Sequence, residues 1–201
     1  FPAIDLKDGK CVRLFQGDME KETVFNEDPP GQAQVFADAG ADWLHVVDLN
    51  GAVDGHKVNE RAVKKILENN NLMVQLGGGI RHRGAVDFWL ERGVKRVVLG
   101  TAAVKNPDFV KQACIDHPGH VAVGIDAKEG IVKIEGWTES SGMKTLDVAR
   151  RFEDSGAAAI IYTDIARDGA MKGPNIEATM ELANAVSLPV IASGGVSSMA
   201  D

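Results

Sequence analysis

The chain says nearly the same phrase twice, and that repetition limits its fold more than any other feature. Phe1–Gly9 reads FPAIDLKDG and Val121–Gly130 reads VAVGIDAKEG. Each is an apolar run ending in an aspartate, with a lysine and a glycine following at matching places. Asp5 and Asp126 stand 121 residues apart (126 − 5). VVDLNGA (Val46–Ala52) answers to YTDIARDGA (Tyr162–Ala170), pairing Asp48 with Asp164. LGGGI (Leu76–Ile80) answers to ASGGV (Ala192–Val196), pairing Gly78 with Gly194 and Gly79 with Gly195. Both of these offsets are 116 (164 − 48; 194 − 78). Self-similarity at so long a period means a fold of two equivalent halves.

Short apolar runs at Ala3–Leu6, Trp43–Val47, Leu72–Leu76, Val94–Leu99, His120–Ile125, Ala158–Tyr162 and Pro189–Ala192 predict seven strands. Amphipathic stretches at Gln32–Ala39, Glu60–Asn69, Gly84–Arg92, Pro107–Asp116, Leu146–Ser155 and Asn175–Ala185 predict six intervening helices. Strands alternating with helices of two to three turns make βαβ units on a parallel sheet. Several strands are apolar throughout, as expected when both faces are covered. Four βα units used twice predict an α/β fold of the (β/α)8 TIM-barrel class built from two half-barrels. The first half is expected over about residues 1–118 and the second from about 119, all in one domain. By the same offset, the strand answering to RVVLGTAA (Arg96–Ala103) falls at about 212, past Asp201. The eighth βα unit is therefore expected to be missing from the 201 residues.

Hydrophobic residues make up 44% of the chain, enough for a large core. A net charge of −7 argues against a nucleic-acid partner, which calls for a basic patch. No apolar run is long enough to span a bilayer, and no leader pattern opens the chain, so a cytoplasmic protein without a membrane partner is expected. Cys11 and Cys114 lack disulfide-framework or metal spacing and are expected to be free thiols. The histidines carry little: His45 sits within a strand, and His117 and His120 flank a Pro-Gly turn.

In barrels, chemistry sits at the C-terminal ends of the strands. The residues to weigh are Asp5, Asp48, Gly77–Arg81, Gly100–Thr101, Asp126, Thr163–Asp164 and Ser193–Gly195. Asp5 and Asp126 could simply cap their loops. As a pair in unlike surroundings, they could hold one proton between them and act as acid and base. Asp48 and Asp164 read as structural support. Thr163 offers either a hydroxyl to a reacting oxygen or a β-branched core side chain. The glycine turns are either tight turns or backbone cradles for phosphate. Two such turns related by the repeat favour a ligand with a phosphate at each end. Asp168-Gly169 reads as a tight turn.

Two connections are unusual. Lys7–Gly31, with RLFQGD and EDPPG, is long for a βα loop and reads as a linker or a lid. After the fifth strand, alternation over Ile131–Glu135 predicts a small hairpin presenting Trp137, to stack on a flat heterocycle or to anchor the loop.

Together, PAIDLKDGKCVRLFQGD, VVDLNGA, QLGGGIR, LGTAA, GIDAKEG, GW, YTDIARDGAMKGPN and ASGGV resemble the phosphoribosylformimino-aminoimidazole-carboxamide ribotide isomerases of histidine biosynthesis. The related cyclases share the half-repeat barrel. They carry Cys-Leu-Asp where this chain has Ala3-Ile4-Asp5, and a Ser after the sixth-strand Thr where this chain has Asp164. The resemblance implies a cofactor-free and metal-free Amadori rearrangement by a monomer acting on a bis-phosphorylated small molecule. It implies Asp126 as general acid, Asp5 as general base and Thr163 as a hydrogen-bonding assistant. Gly78, Gly79, Arg81, Gly100 and Thr101 would serve one phosphate, and Gly173, Ser193 and Gly195 the other. Trp137 would stack on the aminoimidazole, with Asp48, Asp164 and Arg13 in support. Two alternatives stay open: a second activity on phosphoribosyl anthranilate, and a non-catalytic barrel that binds phosphosugars.

Overall fold

The computed structural model describes residues 1–54, 58–198 and 200–201. Among these lie eleven strands and eight helices, in two compact units. The first comprises Phe1–Arg13 and Glu22–Val98, the second Leu14–Lys21 and Leu99–Asp201.

The first unit holds β1 (Ala3–Lys7), most of β2 (Lys10–Phe15) and of β3 (Asp18–Asn26), α1 (Pro29–Asp38), β4 (Trp43–Asp48), α2 (Leu49–Asp54), α3 (Glu60–Asn69), β5 (Met73–Gly77), α4 (Arg83–Glu91) and most of β6 (Arg96–Leu99). β1 pairs in parallel with β4, β4 with β5 and β5 with β6. Helices bury the side chains their spacing puts on one face: Ala62, Val63 and Ile66 of α3, and Ala85, Val86 and Trp89 of α4. Leu6, Leu44, Val46, Val74 and Leu76 fill the sheet's core and are almost wholly inaccessible.

The second unit holds α5 (Thr101–Lys105), α6 (Pro107–Asp116), β7 (Val121–Lys128), β8 (Ile131–Ile134), β9 (Glu139–Lys144), α7 (Thr145–Arg150), β10 (Ile160–Asp164), α8 (Ile176–Ala185) and β11 (Val190–Ser193). β7, β10 and β11 run parallel, in that order. β8 and β9 form an antiparallel hairpin alongside β7. Asn106 caps α6 by accepting from the Phe109 amide, with Pro107 at the first helical position. The fold class is α/β, with parallel strands joined by helices in the TIM-barrel pattern.

Three features depart from the sequence expectation. Residues 7–31 are not an unstructured linker, because β2 and β3 occupy most of the stretch. β3 is exposed over its middle six residues, so no hydrophobic alternation marks it, and Glu20, Lys21 and Glu22 give it the charge of a protected edge. The short helices α2 and α5 were not expected; each is one turn and a half after a strand, too short to show a period. The helix expected over Leu146–Ser155 ends at Arg150. Beyond it the amides of Arg151, Phe152 and Ser155 bond three residues back, to Val148, Ala149 and Phe152, which tightens the coil but keeps its apolar spacing.

Candidate active site

Strand register assembles the second unit's site. Thr163 of β10 lies opposite Asp126 of β7 on one side and opposite Ser193 of β11 on the other. Partners in register project from the same face, so the three side chains share one mouth. Tyr162 and Asp164 project from the other face of β10. There, together with Glu129, Thr145, Asn175 and Glu181, they line a separate cavity of about 130 Å³.

Asp126 is bonded by two side chains, Trp137 and Thr163. Trp137 donates from Nε1 to its Oδ2 at 2.9 Å. Burial raises the Asp126 carboxyl above the usual carboxylate range, while hydrogen bonds from Trp137 and Thr163 pull the other way. Burial prevails, which suits a group that holds a proton until the substrate needs it.

The β8–β9 hairpin presents Trp137, as alternation over Ile131–Glu135 predicts. Ile134 pairs with Glu139, leaving residues 135–138 as the loop. Glu135, Gly136 and Trp137 are consecutive left-handed residues, with φ of 53, 61 and 70°. For the two that carry a Cβ this conformation costs about 1–2 kcal/mol each. It is secured by the Glu135 amide donating to Thr101 Oγ1 at 2.9 Å and by Lys105 Nζ, 2.6 Å from Glu135 Oε1.

The glycine turns have a packing cause. A Cβ on Gly194 would stand 2.8 Å from the Asp164 carbonyl oxygen, and one on Gly195 2.4 Å from that of Gly173. Gly173 in turn donates its amide to the Gly195 carbonyl at 2.9 Å. Asp164 accepts from the Ala166 amide at 3.0 Å and from Asn175 at 2.6 Å. Around Gly100 there is room, the nearest atom to a Cβ there being Gly124 O at 3.8 Å.

In the first unit Asp5 pairs in register with Val12 and Val47 and is partly exposed. Asp48 is buried and accepts from the Gly51 amide and from Asn59. Gly78 and Gly79 approach the Asp48 and Gly51 carbonyls so closely that a Cβ would fall at 2.1 and 2.3 Å. Arg81 donates to the Ala52 carbonyl at 2.7 Å, and Arg13 lies over the Phe25 ring at 4.7 Å. Cys11 is buried beside acidic groups, and burial, with Asp28 and Asp5 adding to it, pushes its thiol up to about 11. Among the described residues no cluster of His, Cys, Asp or Glu could hold a metal ion, and no helix is long and apolar enough to cross a membrane.

A family profile described as "Histidine biosynthesis protein" matches residues 1–201. The chain belongs to that family. Three curated relatives, each named 1-(5-phosphoribosyl)-5-((5-phosphoribosylamino)methylideneamino)imidazole-4-carboxamide isomerase, align over the whole of this chain. They come from Azorhizobium caulinodans (62% identical, 83% of the relative covered), Paramagnetospirillum magneticum (62%, 84%) and Paracoccus denitrificans (61%, 84%).

Three residues that no motif singled out bond or pack against the candidate side chains. Asn59 bonds Asp48 and Asn175 bonds Asp164, and their own offset of 116 (175 − 59) could have revealed them. Gly17 sits at a Gln-Gly turn, φ 51 and 76°, where a Cβ would fall 2.2 Å from Trp137 Cε3. Its signature was the dipeptide itself.

Proposed function

We propose that this chain is an aldose–ketose isomerase of histidine biosynthesis, converting phosphoribosylformimino-aminoimidazole-carboxamide ribotide to its phosphoribulosyl isomer by an Amadori rearrangement. The observation that carries this reading is Asp126: a carboxyl raised by burial, bonded by Trp137 and Thr163, in a chain 62% identical along its whole length to isomerases.

The chemistry follows from moving protons between carbon and oxygen. Protonated Asp126 gives its proton to the ribose ring oxygen. The C1′–O bond breaks as the exocyclic nitrogen supplies its lone pair, leaving a Schiff base. Asp5 then removes the proton from C2′, and the electron pair becomes the double bond of an enolamine. Tautomerisation returns a proton to C1′ and leaves a ketone at C2′. C1′ is reduced while C2′ is oxidised, so the redox change closes within the substrate and needs no cofactor. Thr163 stabilises the charge developing beside Asp126. Gly78, Gly79, Arg81, Gly100 and Thr101 hold one phosphate, and Gly173, Ser193 and Gly195 the other. The enzyme acts as a cytoplasmic monomer on this small bis-phosphorylated substrate, with no nucleic-acid partner.

Turnover of the aminoaldose ribotide, with phosphoribosyl anthranilate assayed in parallel, tests this function. Conversion of the first substrate alone supports a dedicated enzyme. Conversion of both would extend its substrate range. Conversion of neither, with phosphosugar still bound, would replace the isomerase with a binding protein.

A further inference from the structure

The indole of Trp137 is held at two ends. Its Nε1 is bonded to Asp126 at 2.9 Å. Its benzo edge lies against Gly17, where a Cβ would stand 2.2 Å from Cε3 and 2.7 Å from Cζ3. Gly17 is itself fixed in place. The neighbouring Gln16 donates its amide to the Asp168 carbonyl at 3.2 Å and its side chain to the Ala166 carbonyl at 2.9 Å. Gly169 closes on Leu14 so tightly that a Cβ there would be 2.4 Å from the Leu14 carbonyl oxygen. The tip of the β2–β3 hairpin is thus docked on the turn that follows β10, the strand carrying Thr163. On the other side, the left-handed run Glu135–Trp137 is tied to α5 through Thr101 and Lys105. Backbone in this region persists only where the surroundings over-determine it.

We infer that Gly17 and Lys105 are positioning residues for Asp126, acting through Trp137: one leaves room for the ring where a Cβ would collide with it, and the other holds the turn that delivers it. A carboxyl group can rotate about its Cβ–Cγ bond. A donor fixed on Oδ2 stops that rotation and aims the proton, and small misplacements of a reacting group are costly in rate. The inference rests on Asp126 being the general acid, whereas the placement of Trp137 can be measured without turnover.

The experiment compares wild type with Gly17→Ala, Lys105→Met, Lys105→Arg, Trp137→Ala and Gly17→Ala combined with Trp137→Ala. Trp137 fluorescence is taken as the difference from Trp137→Ala, and kcat and KM are measured on the aminoaldose ribotide. Gly17→Ala and Lys105→Met should shift Trp137 emission to the red, raise its quenching by acrylamide and lower kcat about tenfold. Lys105→Arg should restore both. In the Trp137→Ala background, Gly17→Ala should change kcat no further. An equal fall in kcat with and without Trp137 would overturn the inference, as would unaltered emission in Lys105→Met. Should Gly17→Ala not fold, the two Lys105 variants carry the test alone. With Asp126→Asn assayed alongside, the expected emission shifts in Gly17→Ala and Lys105→Met together with full activity in Asp126→Asn would instead refute the acid assignment.

Discussion

Asn59 donates from Nδ2 to Oδ1 of Asp48 at 2.6 Å. The same side chain donates to the Leu6 carbonyl and accepts from the Gly9 amide, so one buried amide ties β1, β4 and the turn after β1 together. In the second unit Asn175 bonds Asp164 at 2.6 Å across the same separation of eleven residues, but Asp164 keeps 13% of its side chain exposed. Asn59→Ala should therefore cost about 3 kcal/mol, since it takes a donor from a buried carboxylate and partners from the Leu6 carbonyl and the Gly9 amide, and Asn175→Ala about 1 kcal/mol. Urea unfolding of the two variants checks the order. Equal losses would show that burial does not set the difference.

Gly78 and Gly194 hold equivalent places in the repeat but face different crowding. A Cβ would fall 2.1 Å from the Asp48 carbonyl oxygen at Gly78 (φ +100°) and 2.8 Å from the Asp164 carbonyl oxygen at Gly194 (φ +87°). Both positions penalise any L side chain and press a Cβ against backbone, the first more closely and on three atoms of Asp48 within 2.8 Å. Gly78→Ala should lose about 3 kcal/mol or more, Gly194→Ala about 1–2 kcal/mol. A midpoint for Gly78→Ala at or above that of Gly194→Ala in thermal unfolding would contradict the packing argument.

Asp126→Asn should lower kcat by about 10²–10⁴, with substrate still bound, because the amide keeps the shape and removes the transferable proton. Asp5→Asn should fall by a similar factor at the later proton abstraction. Steady-state kinetics with a binding titration of each variant decides this. A rate near wild type in either would remove that residue from the acid–base pair.

His45 links stability to pH. Burial lowers its pKa to about 4, and Gln75 lies 2.8 Å from Nδ1. With the folded pKa below the unfolded value of about 6.5, the unfolded chain binds the extra proton between the two. This contribution is intact above pH 6.5 and is lost as pH falls toward 4, by at most about 1.4 kcal/mol per pH unit. Urea unfolding at pH 7 and pH 5 should show a smaller drop for His45→Gln than for wild type. An identical drop would place the proton uptake elsewhere.

The repeated D-x-K-x-G phrase turns out to encode two things at once. Its aspartates lie inside β1 and β7, before those strands end at Lys7 and Lys128. Its last residues are hairpin turns: Asp8-Gly9 (φ 50 and 79°) joins β1 to β2, and Glu129-Gly130 (φ 54 and 74°) joins β7 to β8. Both dipeptides are left-handed, as a two-residue hairpin requires. Likewise, the glycines after β5 and β11 are demanded first by backbone that passes within reach of a Cβ. Such a requirement produces the same letters as a phosphate cradle.

Sequence alone determined the alternation of strand and helix, the twofold plan, the places of seven strands and the family, because these rest on periodicities and spacings that lie along the chain. Asp126, Thr163 and Ser193 could be named from their places at the ends of apolar runs. Which atoms those side chains meet was decided only by tertiary structure. The indole of Trp137 on Asp126, the Gly17 backbone behind it and the Asn59–Asp48 bond join residues eleven to 120 positions apart, as in 137 − 17. No local pattern records such a meeting, because its free energy comes from packing and desolvation that exist only once the strands are in register.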